Sequence, residues 1–171
     1  MNRPKIKIAL DWFDKMVEGV GVLALLFLIG VPVVYYGDLP AAIPGHYGFS
    51  GVPDAFIDPA AIWFLPALGL VLYIGMTALS RFPHILNYPI EITAENAGRV
   101  YRLASKMVRV IKTEIVCMFS YITYSTIQTA LGKQSGLGNY LIMIFVVLIF
   151  GTIVYFMTSM IRDESPTAKN A

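Results

Sequence analysis

A chain of 171 residues with 57% hydrophobic and only 14% charged side chains is too apolar for a water-soluble domain of its size. Its formal net charge of +2 is modest, no nucleic-acid partner is expected, and the single cysteine excludes an intrachain disulfide and a cysteine-built metal cluster. The composition points to an all-α, polytopic membrane protein whose first partner is the lipid bilayer; homo-oligomers are compatible with it.

Four stretches carry no Asp, Glu, Lys or Arg: 19–37, 59–80, 115–132 and a core within 134–161. Each is comparable with the ~20 residues, range ~17 to 25, that cross a hydrocarbon layer of ~30 Å. The first is preceded by Arg3, Lys5 and Lys7, as a secretory signal would be, but Asp11, Asp14, Lys15 and Glu18 intervene and no small-x-small site follows Tyr36. A retained signal-anchor helix over about 17–36, with an earlier start at Trp12 open and Pro32 late in its course, is the expectation.

The connection 37–58 packs Pro40, Pro44, Gly45, Gly48, Gly51 and Pro53 into one short run. Proline fixes φ and glycine opens positive φ, so the run specifies a shaped loop that holds His46 and Asp54 in a fixed geometry. Together with Asp38 and Asp58, a histidine and carboxylates could in principle supply a general base or a partial metal site. The sequence contains no His-Glu-x-x-His, no Gly-x-Ser-x-Gly and no nucleotide-binding glycine loop. No enzyme activity, catalytic residue, cofactor or metal site is therefore expected, and His46 itself is read as fixing the loop by a hydrogen bond or, in the alternative, as contacting a peptide or a metal.

A second span is expected over 59–80, with Asp58 as N-cap, Pro59 at the first helical position and Pro66 in its body. Pro32 and Pro66 predict kinks, and Tyr35, Tyr36, Trp63 and Phe64 fall where amphipathic rings favour a membrane interface. The connection 81–114 opens with Pro83 and Pro89 in an extended crossing, then Thr93 as N-cap and Glu95 in the first turn of a helix from about 94 to 131. At ~1.5 Å per residue that helix exceeds the membrane core, so its first turns are expected to project into the cytoplasm or to bend and lie on the membrane surface.

On this helix Arg99, Arg102, Lys106 and Arg109 share a face of about 80° of arc, opposite an apolar face. They form a docking surface for anionic lipid or an acidic cytoplasmic protein, or else they snorkel and set topology. Ser120, Tyr124 and Gln128 recur every four residues in the third span, 115–132, as interhelical contacts or a pore lining. The fourth span is expected over 140–161, followed by a tail at 162–171. No ionisable residue lies near the middle of any apolar stretch, which counts against a pump or proton-coupled transporter.

Orientation follows from the basic residues. Arg3, Lys5, Lys7 and Lys15, then Arg81, Arg99, Arg102, Lys106, Arg109 and Lys112, and finally Arg162 and Lys169 fall on one side, against Lys133 on the other. Both termini are expected in the cytoplasm at the cell membrane, with His46 outside and His84 inside.

Leu39-Pro40, Ile43-Pro44, His46-Tyr47, Gly51 and Pro53-Asp54 resemble the loop signature of a bacterial membrane family of unassigned function: Leu-Pro-x-x-Ile-Pro-x-His-aromatic, then Gly-x-x-Asp. The same module forms the N-terminal part of SdpI-type immunity proteins. Here Gly45 replaces the usual β-branched residue and Phe56 stands where tryptophan is common. Asn87-Tyr88-Pro89 and Thr93-Ala94-Glu95-Asn96 resemble four-helix members of that family. For SdpI-type proteins the resemblance implies protection from a secreted toxic peptide and recruitment of a repressor, although their second membrane region is not found in this sequence. The resulting expectation is a non-enzymatic, four-span protein that senses or binds a secreted peptide or envelope component through Pro40, Pro44, His46, Tyr47, Gly51 and Asp54. The alternatives are a scaffold or accessory subunit of a larger membrane complex and, further off, a small transporter.

Overall fold

Asp11 starts the first helix, α1 (Trp12–Tyr35), by accepting from the Asp14 amide at 3.0 Å while the Asp14 carboxylate accepts in return from the Asp11 amide, closing a capping box. The computed structural model, which describes residues 3–138 and 140–162, continues through a hairpin of β1 (Ile43–Tyr47) and β2 (Pro53–Ile57), then α2 (Phe64–Leu79), α3 (Ala97–Ala130) and α4 (Leu141–Arg162). Short 3-10 turns at Tyr36–Asp38, Pro59–Trp63 and Pro83–Ile85 join them. Of the expected tail at 162–171, residues 163–171, with Lys169, lie outside the described residues.

The molecule is mostly helical, but the connection 37–58 is not a loop without strands: β1 and β2 pair antiparallel, with Ile43 opposite Ile57 and Tyr47 opposite Pro53. The all-α expectation is corrected to that extent. The turn between the strands is fixed by Gly51 at φ +74°, a left-handed conformation that a Cβ disfavours. Asp58 caps the next segment as expected, accepting from the Ala60 amide at 2.7 Å. Pro66 falls in the first turn of α2 and not in its body, because Pro59–Trp63 is 3-10 and the α-helix begins only at Phe64. In a first turn its missing amide interrupts no helical bond.

The segment before α3 carries a reciprocal pair: the Thr93 amide donates to Asn96 Oδ1 at 3.0 Å and the Asn96 amide to Thr93 Oγ1 at 3.3 Å. The helix proper therefore starts at Ala97. Its 34 residues make it about 50 Å long, and the other helices pack around it. Leu28, Tyr73 and Val116 join α1, α2 and α3 at mid-height. Ile43, Ile62 and Ile127 seat the hairpin at one end, and Val100, Ala104, Phe156 and Met160 join α3 to α4 at the other, against Leu86, Tyr88, Ile90 and Ile92.

Among the described residues, three helical segments, Trp12–Asp38, Pro59–Leu79 and Leu141–Arg162, are long and apolar enough to cross a membrane. Their outward faces carry large apolar side chains, among them Leu23, Val34, Val71, Ile74, Val147 and Phe150. Faces so continuously apolar are unsuited to water and suited to lipid. The fourth long helix, α3, places Arg99, Arg102, Lys106, Arg109, Lys112 and Glu114 between its first turn and its middle.

Candidate functional site: the hairpin and an ion-paired bundle end

β1 lies on the bundle and β2 faces away from it. Ile43 and Pro44 are buried, whereas Asp54 through Ile57 are exposed. The Tyr47 hydroxyl donates to Thr126 Oγ1 on α3 at 2.8 Å, and burial raises that phenol above its ordinary range despite hydrogen bonds with Thr126 and Thr129. At the tip, the Leu137 amide donates to the Gly51 carbonyl at 2.9 Å, so the α3–α4 connection clamps the turn. The Tyr121 hydroxyl donates to the Leu137 carbonyl at 3.3 Å, anchoring that clamp to α3.

On the open side of the hairpin Nδ1 of His46 stands 2.6 Å from Oδ1 of Asp54. Against a carboxylate this places the imidazole proton on Nδ1 and leaves Nε2 facing outward. Both side chains are exposed, His46 by 71% and Asp54 by 52%, so the pair adds little stability and mainly orients the ring. Asp58 is committed to its cap, and no cluster of three metal-binding side chains occurs among the described residues.

Sequence reasoning did not single out Phe49, which is 96% exposed at the tip of the hairpin, nor Phe56 as an exposed ring on β2. A phenylalanine between two glycines in a turn is the signal that could have found Phe49, since such a ring is left almost wholly uncovered by the described residues.

Gly45 has a steric reason. A Cβ there would stand 2.6–2.7 Å from the Ile57 side chain, its cross-strand neighbour. Ile57 fills the space that a β-branched residue at 45 would occupy.

The expected basic face does not stand free at the other end. Lys106 forms an ion pair with Asp11 and lies over the Phe13 ring at 5.2 Å. Arg109 reaches Asp14 at 3.1 Å and Glu18 at 3.6 Å. Lys112 binds Glu18 at 2.7 Å and Thr77 at 2.8 Å, and its ammonium lies 4.1 Å from the centre of the Tyr73 ring. Arg99 donates to the Ser159 and Met160 carbonyls at 3.0 and 3.1 Å, closing the last turn of α4. Of the four face residues, Arg102 is the exposed one. The Lys106 ammonium holds the Asp11 carboxyl at about 2, well below its ordinary value.

The acidic partners were not picked as site residues from sequence. Asp11, Asp14 and Glu18 recur at three and four residues on α1, and Lys106, Arg109 and Lys112 at three on α3; complementary stripes of this kind were the available signal.

The polar stripe in the second half of α3 is divided. Ser120 is buried and donates to the Ala24 carbonyl of α1 at 2.8 Å, and Gln128 is buried. Tyr124 is partly exposed and rests against Phe27, ring centres 5.9 Å apart. Glu114 accepts from Thr152 at 2.6 Å and ties α3 to α4.

These features define a mostly helical chain with three candidate membrane-spanning helices and an exposed hairpin. A family model described as "Domain of unknown function (DUF1648)" matches residues 23–70, a range that contains most of α1, the whole hairpin and the first turns of α2. An uncharacterized protein of Archaeoglobus fulgidus is 28% identical over 156 residues, covering 83% of this chain and 84% of its own. No solved structure matches the chain.

Proposed function

We propose that this is a non-enzymatic membrane protein whose hairpin senses or binds an extended peptide or another envelope component on the outer face of the cell membrane. In this reading α3 supplies the third of four spans, both termini are cytoplasmic and the hairpin is outside. The observation that carries it is the exposed β2 strand, flanked by Phe49, Phe56 and the His46–Asp54 pair on a hairpin clamped by Tyr47–Thr126 and Gly51–Leu137. β1 faces the bundle, while β2 leaves backbone groups along its outer edge for an added strand. A fixed hairpin also meets its ligand without first being ordered, which lowers the cost of binding.

The module's resemblance to the front of SdpI-type proteins supports a secreted peptide as the ligand and immunity as the outcome. The scaffold reading draws less support, because Ser120 makes its hydrogen bond within the chain.

Cells carrying His46→Ala, Asp54→Ala and Phe49→Ser variants, matched for membrane abundance, would be challenged with secreted peptides. Loss of protection or of signalling with normal insertion is the expected result. Unchanged sensitivity in all three variants would remove the hairpin from the function.

A further inference from the structure

The leader before α1 is fastened across the end of the bundle away from the hairpin. Arg3 donates to the Leu86 carbonyl and, at 3.3 Å, to that of His84, with its guanidinium 5.5 Å from the centre of the Tyr88 ring. Between this strap and the bundle lies a cavity of about 520 Å³, lined by Lys7, Ile8 and Leu10 of the strap, Glu18, the end of α2 from Thr77 to Pro83, and Arg109.

The charges around it do not cancel. Asp14 and Glu18 are matched by Arg109 and Lys112, and Glu18 also accepts from the Tyr73 hydroxyl at 3.1 Å. That quartet is neutral. Lys7 and Arg81 line the same cavity, and neither forms an ion pair among the described residues, so the site retains two uncompensated positive charges beside the apolar walls of Ile8, Leu10, Phe82 and Pro83.

Its level matters as much as its charge. The candidate spans begin at Trp12 and end at Leu79 on this side, so the cavity sits where lipid headgroups meet the acyl layer. We propose that the cavity under the leader strap binds the headgroup of one anionic phospholipid, its phosphate between Lys7 and Arg81 and its first methylenes against Leu10 and Phe82. The shared chemistry is a phosphate anion; the apolar walls at span-end level select the lipid over the free ion. Lipid at this site would fasten the strap, α2 and α3 together.

The test uses the full chain purified in a neutral detergent. Native mass spectrometry and thermal unfolding are read during titration with short-chain phosphatidylglycerol, short-chain phosphatidylcholine and inorganic phosphate. One retained phosphatidylglycerol, bound at least tenfold more tightly than phosphatidylcholine and accompanied by a rise in unfolding temperature, is the expected result. The Lys7→Gln/Arg81→Gln double variant should lose that preference, whereas Lys15→Gln, exposed on α1 and outside the cavity lining, should keep it. Equal retention of the two lipids by the unmodified protein, or an undiminished preference in the double variant, would overturn the proposal. So would inorganic phosphate binding as tightly as the lipid. None of these readouts involves the hairpin.

Discussion

Asp14 and Arg109 form the most deeply buried ion pair among the described residues, both side chains at least nine-tenths buried and 3.1 Å apart. Removing one partner of such a pair leaves a charge out of water without compensation and typically costs about 3–5 kcal/mol. Asp14→Ala should therefore lower the unfolding temperature of the detergent-solubilised protein sharply. Asp14→Leu combined with Arg109→Met should recover most of that loss, since Glu18 keeps Lys112 as its partner. If the double variant is as unstable as the single one, the pair contributes geometry and not merely charge balance. At the same scale, the sequence read the individual cations as one face of a helix. It did not reveal that Lys106 and Arg109 face α1, because helical periodicity orients residues relative to one another and not relative to a neighbour.

The hairpin is the element whose construction the sequence only half disclosed. Prolines and glycines announced a shaped connection, and Pro44, Tyr47 and Gly51 hold the shape. Two five-residue strands do not stand out in a segment so broken by proline, since a strand normally announces itself by alternating apolar and polar residues. The cross-strand contact of Gly45 with Ile57 gives a test of register. Gly45→Val should destabilise the hairpin by about 1 kcal/mol, the low end of overpacking penalties, because Ile57 is partly exposed and has room to turn. Adding Ile57→Ala should reverse the effect. Limited proteolysis within 48–53 reads both variants, and equal cleavage of the single and double variants would contradict the pairing.

Taken whole, the chain is arranged around α3, with the hairpin seated at one end and the strap and ion pairs at the other. The proposed topology separates Phe49 and Arg102 by the membrane. In a Cys117→Ser background, Phe49→Cys should react with a membrane-impermeant thiol reagent added outside intact cells, and Arg102→Cys only after the membrane is opened. Both positions are exposed, so a missing reaction reports the compartment and not burial. Labelling of both from the same side would reject the crossing by α2 on which that topology rests.

The sequence by itself determined three helices long and apolar enough to cross a membrane, the cap at Asp58 and the place of the shaped connection. Those properties are local: run length, periodicity and the φ preferences of proline and glycine are written in consecutive residues. Only the tertiary structure decided which charges meet, that the connection is a clamped hairpin with Phe49 free at its tip, and that the leader encloses a cationic cavity. Each of these depends on residues separated by tens of positions, such as Asp14 with Arg109 or Tyr47 with Thr126, whose approach is set by how the helices pack and not by any stretch of sequence read alone.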